Sequence, residues 1–399
     1  MNKFIYGIIL TTFFTIHSIS AQEVTLIAGG DVEWSRMINK PKYYYDSDKA
    51  SEKMRKDGWR RLSFIASDES KSHMINTYGV DPDSPKKHHI KSIPLNLEFS
   101  TVEEEYAHPF LKIAPILKKA DIAFINLETP LSDTARQIGA FKTSTAFAKA
   151  IKDAGVDVVS TANNHSLDAE GVGLIETKEV LLANKIEVIG TGFNLEDARK
   201  PVIIEKDNIK IAFLAYTYGV NPTRTDIGFA FHNRSGAMPL DPFLIKEDIK
   251  RVRQQVDYIV LSFHWGLENK QEIHPASIEF AHDMIDSGAD VILGHHPHVP
   301  RGIEIYNGKP IVYSMGNLIF GHTHTNWKDN FLARITFSKK KICKLEIVPV
   351  AGKMQDIGQP FVLDGDRAKE FLEEIKTQSE PLNTTLTIKK NIGTVRIKK

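Results

Sequence analysis

Five short apolar runs in this 399-residue chain each end in side chains able to hold a cation or move a proton. "GGDVEW" brings Asp31 and Glu33, and "NLETPL" brings Asn126 and Glu128. "TANNHSLD" brings Asn163, Asn164, His165 and Asp168; "SFHWGLE" brings His264 and Glu268; "LGHHPHVPRG" brings His295, His296 and His298. Carboxylates, amide oxygens and imidazoles form a mixed N/O ligand set, suited to borderline divalent ions such as Zn, Mn or Fe rather than to calcium alone. Two such ions about 3.5–4 Å apart can clamp a phosphoryl group and lower the pKa of a bound water to near neutrality. That chemistry asks for a bridging carboxylate, imidazoles around each ion and a donor beside the leaving oxygen. Asp31 and Glu128 can bridge, Asn164, His264, His296 and His298 can ligate, and His165, with Asp168 three residues on, is placed to donate. Singly, each ending has an ordinary explanation, since Asp after Gly-Gly suits a turn and Asn163-Asn164 suits a left-handed bend. Their recurrence on five runs argues for one shared site.

In open α/β sheets ligands bind beyond the carboxyl ends of strands, so these runs must be strands of such a sheet. Apolar runs at 24–30, 122–128, 156–162, 186–192, 209–216, 257–265 and 290–296 read as strands. Segments 144–155, 171–185, 241–255 and 274–289 carry apolar positions at helical spacing between them, which predicts a layered α/β fold. After residue 300 the pattern becomes antiparallel, with a hairpin at Asn307-Gly308, a second turn at 338–341, a helix near 366–379 and a basic tail read as a solvated end. Domain 22–350 thus precedes a C-terminal helix and tail at 351–399. A polar stretch at about 40–107 reads as an insertion decorating the front of the domain, with His88 and His89 as surface histidines.

A net charge of +1 argues against a nucleic-acid binder, and neither a P-loop nor a GxGxxG pattern is present. The lone Cys343 excludes an intramolecular disulfide. Residues 1–21 have a basic head, a short apolar stretch and small residues before Ala21, which predicts a cleaved secretory signal and a periplasmic or extracellular protein, anchored if the signal stays uncleaved.

In order and wording, "GGDVEWSR", "ADIAFINLETPLSD", "GVDVVSTANNHSLDAEGVGLIET", "VLSFHWGLE" and "AHDMIDSGADVILGHHPHVPRGIEIYNGKPIVYSMGNLIFG" resemble the CapA-type proteins, the poly-γ-glutamate capsule-synthesis family of the calcineurin-like metallophosphatase superfamily. The resemblance implies a four-layer α/β/β/α sandwich with a dinuclear divalent-metal centre at the sheet edge. It implies Asp31 as first metal aspartate, "NLE" at the bridging position, Asn164 as ligand, His165 beside the leaving group, His264 as the isolated histidine ligand and "HHPH" as the closing pair. His296 and His298 are expected to close the site, with His295 able to exchange roles with His296. Two departures stand out: Asp31-Val32-Glu33 occupies the place of Asp-x-His, and Asn126-Leu127-Glu128 that of a Gly-Asp motif, so Glu33 and Asn126 join Glu268 as further site candidates and the bridging group stays open. "GHTH" at Gly321 to His324 also fits the closing pattern, but lacks the helix-then-strand context; His322 and His324 are expected on a surface loop. Arg36 and Arg301 flank the first and last motifs and are expected to grip an anionic substrate.

The function implied is that of an exported metal-dependent hydrolase acting on a phosphoester or amide during biosynthesis or export of poly-γ-glutamate or a similar anionic polymer, beside capsule-synthesis membrane proteins. Two other readings stay open: a non-catalytic polymer-binding assembly factor, for which Glu33 speaks, and a secreted phosphodiesterase or nucleotidase unrelated to capsules on the same fold.

Overall fold

The computed structural model describes residues 22–35, 93–95, 97–221, 228–324 and 326–397. The expected signal segment, Arg36, His88, His89 and most of the 40–107 stretch lie outside the described residues. Among the described residues no helix is long and apolar enough to cross a membrane.

Two sheets carry the fold. The larger is built on β1 (Glu23–Val32), which pairs in parallel with β3 (Ile122–Leu127) and, on its other side, antiparallel with β16 (Asn330–Ser338). β4 (Val158–Ser160) and β5 (Glu187–Ile189) extend it beyond β3, and β17 (Ile342–Val350), β19 (Ile392–Val395) and β18 (Leu386–Lys389) extend it beyond β16. The short β14 (Asn317–Ile319) adds a second parallel partner to the end of β1. The smaller sheet has the order β12 (Ile303–Tyr306), β13 (Lys309–Val312), β11 (Val291–His295), β10 (Tyr258–His264), β8 (Ile209–Thr217), β7 (Val202–Lys206). Four short strands, β2 (Ile93–Pro94) with β15 (His322–Thr323), and β6 (Thr191–Gly192) with β9 (Gly236–Ala237), form two small ribbons.

Side chains of a strand alternate between faces, and here the two faces go to different cores. Leu26, Ala28, Ile122, Phe124 and Val158 of the larger sheet meet Ile211, Phe213, Ala215, Val260 and Leu293 of the smaller one in a core between the sheets. Their neighbours Ile27, Ala123, Ile125 and Val159 face outward, onto α3 (Phe147–Asp153) and α4 (Glu170–Ala183) through Phe147, Ile151 and Leu181. On the far side Ala212, Leu214, Ile259, Leu261 and Ile292 cover Ile245, Ile249, Met284 and Ile285 of α6 (Pro242–Arg253) and α7 (Pro275–Asp286). Shorter helices α1 (Val102–Ala107), α2 (Ala114–Leu117) and α5 (Leu195–Ala198) fill the edges. The result is the four-layer α/β/β/α sandwich. Both long helices of the far layer start where Pro fixes the first turn, α6 behind Asp241, whose carboxylate accepts from the Phe243 and Leu244 N–H groups at 2.9 and 3.0 Å.

Asn307 and Gly308, at φ 49° and 73°, make the expected hairpin between β12 and β13, and β16 and β17 are joined across 338–341. The basic C-terminal tail is a correction: it is no solvated end but the hairpin β18–β19, hydrogen-bonded onto β17. Alternation explains it, since Leu386 and Val395 turn inward to join the inter-sheet core beside Phe371, Leu372 and Ile375 of α8 (Gly365–Ser379), while Lys389 and Lys390 are exposed. The 351–399 segment therefore completes the larger sheet.

Candidate metal centre

β1, β3 and β4 of one sheet and β8, β10 and β11 of the other run parallel and end on the same side. Register aligns Asp31 with Asn126 across β1 and β3, and His264 with His295 across β10 and β11. The two sheets meet there. Asn126 donates its side-chain N–H to Asp31 at 2.8 Å and lies 3.5 Å from His264 Nδ1, and Asn164 Oδ1 is 2.9 Å from His264 Nε2. His296 Nδ1 is 3.1 Å from His264 Nε2, and its backbone N–H donates to Asp31 at 3.1 Å.

Glu128 sits at the centre. One carboxylate oxygen is 3.5 Å from His264 Nε2 and 3.7 Å from His298 Nε2, yet neither oxygen has a hydrogen-bond partner and the residue is fully buried. A buried carboxylate without partners is strongly unfavourable. Burial, and then the negative charges of Asp31, Glu268, Glu33 and Asp168, push its carboxyl well above the usual range. A cation relieves all of these at once. Among the described residues, three groups have ligand atoms within 4.8 Å of one another: Glu128, His264 and His296; Asp31, Glu128 and His298; and Glu268, His296 and His298. Glu128 is shared by the first two, which is the placement a bridging carboxylate needs.

The imidazoles suit the task. Burial, followed by the neighbouring rings of His296, His295, His298 and His165, holds His264 well below its ordinary pKa, and burial brings His296 down to about 4. Both are neutral at pH 7 and keep a lone pair for a cation. Asp31 behaves oppositely: burial raises its carboxyl, but His295, His298 and the His296 N–H outweigh that and leave it below the ordinary value. His296 and His298 hold φ of 94° and 59°, a left-handed backbone that non-glycine residues rarely adopt and that concentrates at functional sites. The residues present fit a divalent-ion centre.

Beside it, His165 Nδ1 lies 2.6 Å from Asp168 Oδ2, which also accepts from the Phe141 N–H at 2.8 Å. Gly139 allows this packing, because a Cβ there would fall 2.0 Å from Asp168 Oδ1. Asn126 and Asn163 act as struts, the latter donating to the Leu127 carbonyl at 2.7 Å and accepting from the His165 N–H at 3.1 Å.

Residues 25–322 match the family described as bacterial capsule synthesis protein PGA_cap. The chain belongs to that family. Among PGA_cap relatives, it is 32% identical over 281 residues to "PGA biosynthesis protein CapA" of Bacillus subtilis, covering 68% of this chain and 71% of that one. It is 29% identical over 252 residues to "Capsule biosynthesis protein CapA" of Bacillus anthracis, 60% of each chain. The solved structure of the sulfate thiohydrolase SoxB from Thermus thermophilus is similar at a TM-score of 0.40 and 14% identity, over 90% of this chain and 61% of that one.

Within this PGA_cap site several expected residues take other roles. Glu33 is fully buried but outside the three ligand groups: its carboxylate accepts from the Ser35 and Gly321 N–H groups and lies 3.7 Å from His322 Nδ1. His295 belongs to none of the three ligand groups: its ring lies near Phe124, and its Nδ1 is 3.4 Å from Asp31. His322 and His324 are not on a surface loop: β15 pairs with β2, His324 is 5% exposed, and both rings pack on Trp327. The Phe320 and Trp327 rings pack against both His298 and His322. Arg301 corrects a further expectation, since it is 2% exposed and donates to the Lys270 and Leu267 carbonyls at 2.9 and 3.1 Å, which leaves no fork for substrate.

Three site residues escaped the sequence reading. Asn317 Oδ1 is 2.8 Å from His298 Nδ1, carried there because β14 pairs Asn317 beside Asp31. Tyr218 and Asn221, just after β8, reach His296 Nε2 at 3.0 Å and His165 Nδ1 at 3.2 Å. The signal was present as a sixth polar strand end, "AYTYGVN".

Proposed function

We propose that the protein is an exported, metal-dependent hydrolase acting in the biosynthesis or export of poly-γ-glutamate or a similar anionic polymer, alongside capsule-synthesis membrane proteins. Family membership and the capsule-biosynthesis names of its Bacillus relatives support the process. The observation that carries the chemistry is Glu128, a fully buried carboxylate with no hydrogen-bond partner, shared between two groups of imidazole and carboxylate ligands. Asp31, Glu128, Asn164, His264, His296 and His298 would hold one or two divalent ions of the Mn, Zn or Fe kind, which supply Lewis-acid activation and charge neutralisation for attack on a phosphoester or amide.

The chain's own groups do the rest. Asp168 engages His165 Nδ1 and so fixes the ring, leaving Nε2 to carry a proton to the leaving group. Phe141, with its ring centroid 4.3 Å from that of His165, keeps bulk water off this pair. Asn126 and the His296 N–H hold Asp31 in register with the imidazoles of the opposite sheet.

The test is metal analysis of the purified mature chain together with hydrolysis of a generic phosphodiester, with His298→Ala as control. Bound metal and turnover that both fall in the variant support the proposal; less than one ion per chain, unchanged in the variant, overturns it. A second reading, a polymer-binding assembly factor without turnover, is favoured by one observation: Glu33 is tied to Ser35, Gly321 and His322 and adds no ligand. Full metal occupancy with no hydrolysis of phosphodiester or γ-glutamyl amide would select it.

A further inference from the structure

We propose that Glu268 is a further cation ligand, closing the site from the solvent side together with His296 and His298. The inference rests on the ion-binding reading above and extends it to a residue on the loop four positions beyond the end of β10. Glu268 lies on the loop after β10, exposed to solvent, whereas His296 and His298 are buried; ligand atoms of all three come within 4.8 Å of one another. Glu128 approaches the same histidine pair from the buried side. Glu128 and Glu268 would therefore both be available to hold a cation with this histidine pair.

An exposed acidic side chain ordinarily needs no scaffold, but this loop has one. Arg301 is buried with its guanidinium against the Leu267 and Lys270 carbonyls, bracketing Glu268 on both sides. The Asn269 N–H donates to the Pro297 carbonyl at 2.8 Å, which ties the loop directly between His296 and His298. Gly266 and Asn269 both take left-handed φ, 88° and 58°, and a Cβ on Gly266 would meet the Arg301 guanidinium at 2.5 Å. Burying an arginine on neutral carbonyls is unfavourable, and burial brings its pKa down to about 10. The product of that arrangement is a carboxylate held over two imidazoles.

The experiment is a Co²⁺ titration of the full mature chain and of Glu268→Gln, Glu268→His and Glu128→Gln, read by metal content after equilibrium dialysis and by the visible absorption bands of the bound ion. Glu268→Gln should weaken one ion at least about tenfold and change the band shape. Glu268→His, which keeps a ligand atom without the charge, should recover most of the affinity with a different spectrum. Glu128→Gln should weaken every ion. A wild-type chain that binds Co²⁺ while Glu268→Gln matches it in affinity and spectrum overturns the ligand role and leaves the ion centre standing. Loss of affinity in both Glu268 variants with an unchanged spectrum also overturns it, because it would mark the carboxylate as a distant charge. A wild-type chain that binds no Co²⁺ overturns the ion centre and this inference together.

Discussion

Replacing Glu128 with Gln should change stability in opposite directions with and without metal. Without ions, wild type carries a buried carboxyl with both oxygens unpartnered, and such a group costs about 1–3 kcal/mol even when neutral. Gln keeps the shape, loses the charge and can donate to Asp31. The metal-free variant should therefore be more stable by about 1–3 kcal/mol, or roughly 2–6 °C in Tm at about 2 °C per kcal/mol for a chain of this size. With ions at a hundredfold excess over Kd, wild type gains about 2.7 kcal/mol; a hundredfold weaker site in the variant leaves only about 0.4 kcal/mol of that gain. The pH dependence has a definite sign. Glu128 titrates well above 4.5 in the folded chain and at its ordinary value when unfolded, so the folded state binds more protons at this group, and its contribution to metal-free stability falls as pH rises above 4.5. The advantage of Gln should widen over that range. Thermal melts in chelator and in excess Mn²⁺, at pH 5 and pH 8, measure all three quantities. A variant less stable than wild type in chelator, or one whose Mn²⁺-induced rise in Tm equals that of wild type, would refute the reasoning.

Other outcomes follow from single contacts. Gly139→Ala places a methyl group against Asp168 and should lower kcat about a hundredfold by displacing His165, with metal content unchanged; steady-state kinetics and metal analysis on one preparation check it. Asn317→Ala removes the partner of His298 Nδ1 and should weaken metal binding about 10–100-fold, measured by calorimetry. Burial holds His296 at a pKa of about 4 in the folded chain against 6.5 unfolded, so this group's contribution to metal-free stability should grow as pH rises between those values, opposite in sign to that of Glu128; the difference between wild type and His296→Asn in chelator melts isolates that slope. Asp329→Asn breaks a bidentate pair with Arg367, whose bonds are 2.9 and 2.6 Å, and should cost about 2 kcal/mol in urea unfolding, below the range for a fully buried pair because Arg367 is partly solvated.

Most of the architecture was legible because period and punctuation agreed. The runs at 24–30, 209–216, 257–265 and 290–296 correspond to β1, β8, β10 and β11 within two residues, and Asn307-Gly308 makes its hairpin. The tail failed because lysine-rich alternation was weighed as charge, whereas Leu386 with Ile388, and Gly393 with Val395, had the period-2 spacing of strands. For the site, pooled strand ends gathered Asp31, Glu128, Asn164, His264, His296 and His298, which the fold brings together. Arg301 was misjudged because sequence shows a charge beside a motif and not where its donors go. Tyr218 and Asn317 carry neutral groups that gain meaning only through their neighbours, one by the end of β8, the other by the pairing of β14 with β1.

The position of β1 also fixes when the centre can form. Asp31 lies on the first strand among the described residues, yet that strand is flanked by β16, whose pairing joins Glu23 to Ser338, and by β14, which brings in Asn317. Closing a loop of some three hundred residues must precede that pairing, and such long-range contacts slow folding. The family match ends at residue 322, before β16 begins at Asn330. A chain truncated to the matched residues would keep every ligand discussed and lose the strand that locks the first of them. During synthesis the ligands emerge one after another from Asp31 onward, but the centre is assembled only near the end.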